Sequence, residues 1–194
     1  MTLGLRLLLL VSSLSLLVSC SQTLTPLERD STKHEQTNRL TGFLLFAVQT
    51  DSYIKHVNIS GILPLRYSPK SAEQGNAYVL AEVPVGYYAF SSVETGVFDI
   101  EANDEHLWGF DIDPGVINYV GNLELLSQVK WCDSCFRLEL ANKSSFALEY
   151  LELAHPELLE RTQVVYKGPG QDSFIEFAMA MKAQNTLAKQ TEQN

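Results

Sequence analysis

The sharpest local arrangement of reactive side chains is the pair Cys132 and Cys135 in Trp131-Cys132-Asp133-Ser134-Cys135-Phe136. In a thiol oxidoreductase the first cysteine of such a pair sits at a helix N-terminus, where the dipole lowers its pKa and supplies a thiolate. Here strand-like alternation flanks the pair on both sides, and Asp133 sets a negative charge beside the thiols. Both features favour a structural disulfide across a hairpin tip over a redox-active one. A zinc site would need two more ligands, and no second C-x-x-C or close histidine pair stands among His34, His56, His106 and His155.

The acidic run Asp99, Glu101, Asn103, Asp104 and Glu105 offers several hard oxygen ligands and so raises calcium. The EF-hand pattern fails there, because Asp104 stands where the turn glycine belongs and Phe110 where the bidentate Glu belongs. The run reads as a solvated loop. G-x-S-x-G, S-x-x-K, H-E-x-x-H and a glycine-rich phosphate loop are all missing from the sequence. No catalytic, metal-ligating or cofactor-binding residue is therefore assigned.

These groups must be placed by a chain whose first segment carries its own instructions. Arg6 supplies a positive start, Leu7 to Val18 is an apolar run, and a small residue closes it, the pattern of a signal peptide. The run is too short to cross a bilayer that needs about 20 apolar residues. Leu17-Val18-Ser19-Cys20 resembles the bacterial lipobox, in which a peptidase cuts before the cysteine and the thiol carries lipid. The resemblance implies removal of residues 1–19 and lipidation of Cys20. Ser21, where an inner-membrane relative would often carry Asp, implies the outer membrane, on its periplasmic face or at the cell surface. With Cys20 committed to lipid, Cys132 and Cys135 are an even number of thiols in an oxidising compartment, which again favours the disulfide.

The 194 residues carry 14 Lys and Arg against 23 Asp and Glu, a formal charge of −9. An acidic chain without a basic cluster repels phosphate backbones, which excludes nucleic acid as a partner. The expected partners are the membrane, through the N-terminal lipid, and an envelope protein.

Residues 20–41 are polar and unpatterned, with Leu24, Leu27 and Leu40 isolated, and read as a lipidated cysteine followed by a flexible tether. Residues 42–142 hold short β-runs. Phe43 to Val48 is a continuous apolar run, as in a strand covered on both faces. Tyr78 to Val83 and Tyr87 to Val93 flank Pro84-Val85-Gly86, read as a turn between paired strands. Trp108, Phe110 and Ile112 alternate with polar residues, and so do Phe136, Leu138 and Leu140. After Asp113-Pro114-Gly115, unbroken alternation from Ile117 through Tyr119, Gly121, Leu123 and Leu125 puts all five on one face.

Residues 143–194 read as a helical segment. Phe146, Ala147, Tyr150, Leu151 and Ala154 share one face, with a helix start at Ser144 or Ser145. Ser173 to Glu176 has capping-box form, followed by Phe174, Phe177, Ala178 and Met181 at helical spacing. The expected fold is mainly β: an antiparallel β-sandwich of six to seven strands with one or two C-terminal helices.

The turn motifs Val83-Pro84-Val85-Gly86-Tyr87-Tyr88 and Asp113-Pro114-Gly115 to Gly121, with Tyr150 to Leu158 after them, resemble small bacterial lipoproteins of unknown function with a prealbumin-like or carboxypeptidase-regulatory-like sandwich. That resemblance implies fold and compartment and carries no catalytic residue. Function is accordingly expected to be non-catalytic binding or envelope assembly, with Phe174, Phe177 and Met181 as the partner-contact residues. The alternatives are a thiol-disulfide protein using Cys132 and Cys135 and a binder of calcium or another small ligand.

Overall fold

The computed structural model describes residues 21–29, 40–69, 75–127 and 136–192. Its strands are β1 (Gln22–Thr23), β2 (Thr41–Thr50), β3 (Ile54–Gly61), β4 (Leu65–Tyr67), β5 (Gly75–Pro84), β6 (Gly86–Thr95), β7 (Asp99–Glu101), β8 (Gly109–Ile112), β9 (Ile117–Ser127), β10 (Phe136–Ala141) and β11 (Val164–Tyr166). Its helices are α1 (Glu105–Trp108), α2 (Ser144–Ala154), α3 (Pro156–Arg161) and α4 (Ser173–Glu192). The fold is mainly β, as the alternation requires, with three of the helices at the C-terminal end.

Two sheets form. The first runs β1-β4-β3-β6-β7 with β8 also on β6, and the second runs β10-β9-β2-β5 with β11 also on β9. One apolar cluster fills the space between them, including Phe46, Val57, Val79, Phe90, Phe110 and Leu123. A second cluster lies between the second sheet and α2, α3 and α4, and includes Phe43, Leu45, Leu80, Ala147, Leu151 and Ile175. Strand β2 supplies both, with Leu44, Phe46 and Val48 facing the sandwich and Phe43 and Leu45 facing the helices. Burial on two faces is why its six apolar residues run without a polar break. Each Phe, Leu or Val side chain among them stabilises the fold by about 1.5–3 kcal/mol, and Ala47 by less.

The pairing is mixed where an antiparallel sandwich was expected, since β1 runs parallel to β4, and β9 runs parallel to both β2 and β11. The turn at Pro84-Val85-Gly86 likewise does not join a hairpin: β5 pairs with β2 in the second sheet, and β6 with β3 in the first. Here the chain turns a corner between sheets, helped by a proline that needs no ladder partner and by Gly86 at φ +142°. The Asp113-Pro114-Gly115 turn makes a second such corner, from β8 to β9. Both corners tie back to the start of β2, through Val85 N–H to Leu40 O at 2.9 Å and Gly115 N–H to Thr41 O at 3.0 Å.

Alternation along β9 breaks where the sequence reading kept it. Leu45 pairs with Tyr119 but Ala47 pairs with Asn122, so β9 holds one extra residue. Gly121, at φ +114°, accommodates the bulge, and a Cβ there would meet Ala141 O at 3.1 Å. Ile117 and Tyr119 consequently face the helices, whereas Val120, Leu123 and Leu125 face the sandwich.

Part of the stretch read as a tether is docked. Gln22 N–H donates to Pro64 O and Leu24 N–H to Arg66 O, each at 2.8 Å, and Leu24 is buried between the sheets. Leu27 N–H then donates to Leu80 O at 2.7 Å. Residues 21–29 thus fasten an edge of the first sheet to an edge of the second. Leucines that look isolated in sequence are ordered by backbone partners far along the chain.

Candidate functional site

The bulge in β9 creates a polar centre under the helices that period-two reasoning did not reveal. It turns Asn122 and Glu124 toward the helical layer, on the same side as Tyr119. Tyr119 OH donates to Asn122 Oδ1 at 2.9 Å and accepts from Lys143 N–H at 3.0 Å. Lys143 Nζ, just before α2, pairs with the Glu124 carboxylate and donates to Gln49 Oε1 at 2.8 Å. Asn122 Nδ2 finds no acceptor among the described residues.

A second set joins the starts of two helices. Asn142 Oδ1 accepts from Ser144 N–H at 3.1 Å, and the Ser144 hydroxyl also donates to the Asp172 carboxylate. Asp172 Oδ1 in turn accepts from Phe174 N–H at 2.7 Å. Asp172 rather than Ser173 therefore caps α4: it precedes the first helical residue, and its carboxylate accepts from the free N–H groups of Phe174 and Ile175 in the first turn.

Burial and hydrogen bonding shift the titratable groups of this region. Burial pushes the Tyr119 phenol far above its ordinary range and that of Tyr166 up to about 12. Partial burial would raise Asp172, but hydrogen bonds from Ser144, Asn142 and the α4 backbone outweigh it and hold the carboxyl below its ordinary value. The Ser144 hydroxyl lies between the Asn142 amide oxygen and the Asp172 carboxylate, and it donates to them.

The other sequence candidates take plain structural roles. Asp99 and Glu101 are exposed in β7 on either side of Ile100, which packs on the core. Asp104 Oδ1 accepts from His106 N–H at 3.0 Å and so holds the start of α1. His56 Nδ1 lies 2.8 Å from Ser68 Oγ, and buried His155 Nε2 lies 3.1 Å from Tyr150 OH. Among the described residues no group of three His, Cys, Asp or Glu side chains is placed to hold a metal. Cys20, Cys132, Cys135 and His34 lie outside the described residues.

Helix α4 forms where expected, but its buried face differs from the Phe174, Phe177, Ala178 and Met181 stripe. Ile175 is buried and Met179 packs beside it, while Phe174, Phe177 and Met181 are 47%, 64% and 43% exposed. Ile175 and Met179 are spaced i, i+4, and the helix turns that pair inward.

Between α4 and β11 lies an open cleft of about 1130 Å³, with Val165 and Tyr166 on one wall and Asp172, Glu176, Met179 and Ala183 on the other. Ile117 N–H donates to Gln163 O and Lys167 N–H to Tyr119 O, so residues 163, 165 and 167 bond toward β9. In a parallel ladder the intervening Val164 and Tyr166 turn their backbone groups to the other side. No strand among the described residues pairs with that side.

No protein-family model matches the chain, and no curated protein matches it.

Proposed function

We propose a lipid-anchored cell-envelope protein, held at the outer membrane through Cys20, that acts as a non-catalytic binding or assembly accessory. The observation that carries the binding role is the cleft between the outer edge of β11 and α4. An extended segment of a partner can add to such an edge through main-chain hydrogen bonds. The cleft walls offer Asp172 and Glu176 and no Lys or Arg among the described residues, so a partner segment with basic side chains suits them. Phe174, Phe177 and Met181 stand exposed on α4. The anchor rests on the lipobox-like Leu17 to Cys20 and the signal-peptide pattern before it.

The test is a photo-crosslinking amino acid placed at position 176 or 177 in intact cells, with position 97 as control, followed by mass spectrometry of the adducts. One reproducible envelope protein captured at 176 and 177 but not at 97 is the expected result. Equal capture at all three positions, or an intact complex after deletion of residues 171–194, overturns the binding role.

A further inference from the structure

The docking of residues 21–29 changes how a lipid on Cys20 would hold this domain. Gln22 N–H is bonded to Pro64 O at 2.8 Å and β1 is paired with β4. Two residues reach at most about 7 Å. A lipid on residue 20 therefore leaves the folded body at the β3–β4 turn, with no spacer to lift it from the bilayer.

That end of the molecule is apolar where it meets solvent. Ile62, in the same turn, is 61% exposed and lies against Gly86, where an added Cβ would come within 2.9 Å of its side chain. Tyr87, next along, is 47% exposed while Tyr88 is buried. Leu40, whose carbonyl accepts from Val85 N–H, is 65% exposed. Three large apolar side chains thus surround the Pro84-Val85-Gly86 corner beside the point where the lipid would depart.

We propose that this corner, Leu40, Ile62 and Tyr87, rests on the bilayer surface and fixes the orientation of the anchored domain. The inference depends on lipidation of Cys20. Amphipathic Tyr and aliphatic side chains suit the headgroup boundary, and a covalent anchor raises the local concentration of bilayer so far that a weak contact is occupied. Asp111 pairs across from Tyr87, so the contact favours a surface of zwitterionic lipid over an anionic one. With the corner on the membrane, the far end of β6, a ten-residue strand, stands about 30 Å out.

The experiment uses the full lipidated protein in phosphatidylethanolamine–phosphatidylcholine vesicles, its acyl chains verified by mass spectrometry. A fluorescent amino acid replaces Ile62 in one sample and Val97, 82% exposed at the far end of β6, in another. Brominated lipid should quench the reporter at 62 and leave that at 97 unchanged, and Y87D should reduce the quenching at 62. Equal quenching at both positions, or none at 62 with the lipid present, overturns the proposal. So does a blue shift at 62 that needs no vesicles and follows self-association, which would make the corner an interface between copies. Missing acyl chains would instead overturn the anchor.

Discussion

The two sheets handle polar groups in opposite ways. On the first sheet, Asn58 Nδ2 donates to Ser92 Oγ at 3.1 Å and to Glu94 Oε1 at 3.0 Å, while Arg66 Nε donates to Asn58 Oδ1 at 2.9 Å. Lys55 and Arg66 stand 3.7 and 3.8 Å from the Glu94 carboxylate, on the face away from the sandwich. On the second sheet the same chemical types, an amide, a carboxylate and a cation, lie beneath helices, with Glu124 only 9% exposed at its side chain. Water can substitute for a lost partner on the first sheet, and the helical cover limits that around Glu124 on the second. The contrast teaches that the same contacts confer little on an exposed face and more beneath a cover that limits water.

The largest expected effect comes from removing the bulge that turns the second network inward. Gly121→Val should lower stability by about 3 kcal/mol in urea unfolding, because the side chain meets both an unfavourable φ and the β10 backbone. An unchanged midpoint would mean that β9 can realign without the bulge.

Next comes the ion pair. Lys143→Met strands the Glu124 carboxylate under the helices and should cost about 2 kcal/mol, lessened by the partial exposure of the lysine. Arg66→Met on the first sheet should cost less than about 1 kcal/mol. Equal costs would erase the distinction between the two faces.

Smaller than the Lys143 effect is that of the cap. Asp172→Ala should cost about 1 kcal/mol and loosen α4, seen as faster amide exchange in residues 174–177. The folded pKa of Asp172 lies below its unfolded value, so its contribution is present above the ordinary carboxylate range and fades as pH falls toward the folded value. Asp172→Asn should flatten that part of the acid titration. Phe177→Ser should leave stability within about 0.5 kcal/mol, as expected of an exposed side chain, while abolishing capture of the partner.

Much of the fold was legible in one dimension. The unbroken apolar run from Phe43 to Val48 announced a strand buried on both sides, and the Trp108, Phe110 and Ile112 alternation survives as Trp108, Phe110 and Ile112 in the core. Tyr87 and Tyr88 had to face opposite ways, and they do. Pairing was not legible, because Pro84 and Gly86 bend a chain equally well into a hairpin or around a corner. The polar centre was hidden for a related reason: one extra residue at Gly121 inverts the parity of everything after it. Its members, from Gln49 to Asp172, are brought together only by the completed second sheet and its helices. Gly121 in a run of β-formers was the one available signal.

The place of β2 at the middle of the second sheet also sets an order of events. Its antiparallel partner β5 follows within the same stretch of chain, whereas its parallel partner β9 comes only after β6, β7 and β8 have been made. Until β9 arrives, β2 has one bare edge, and its Phe43 and Leu45 side still waits for the helices that follow β9. Folding must therefore wait on a distant closure. That interval, rather than the finished state, is when an unpaired apolar edge leaves the chain most exposed to aggregation.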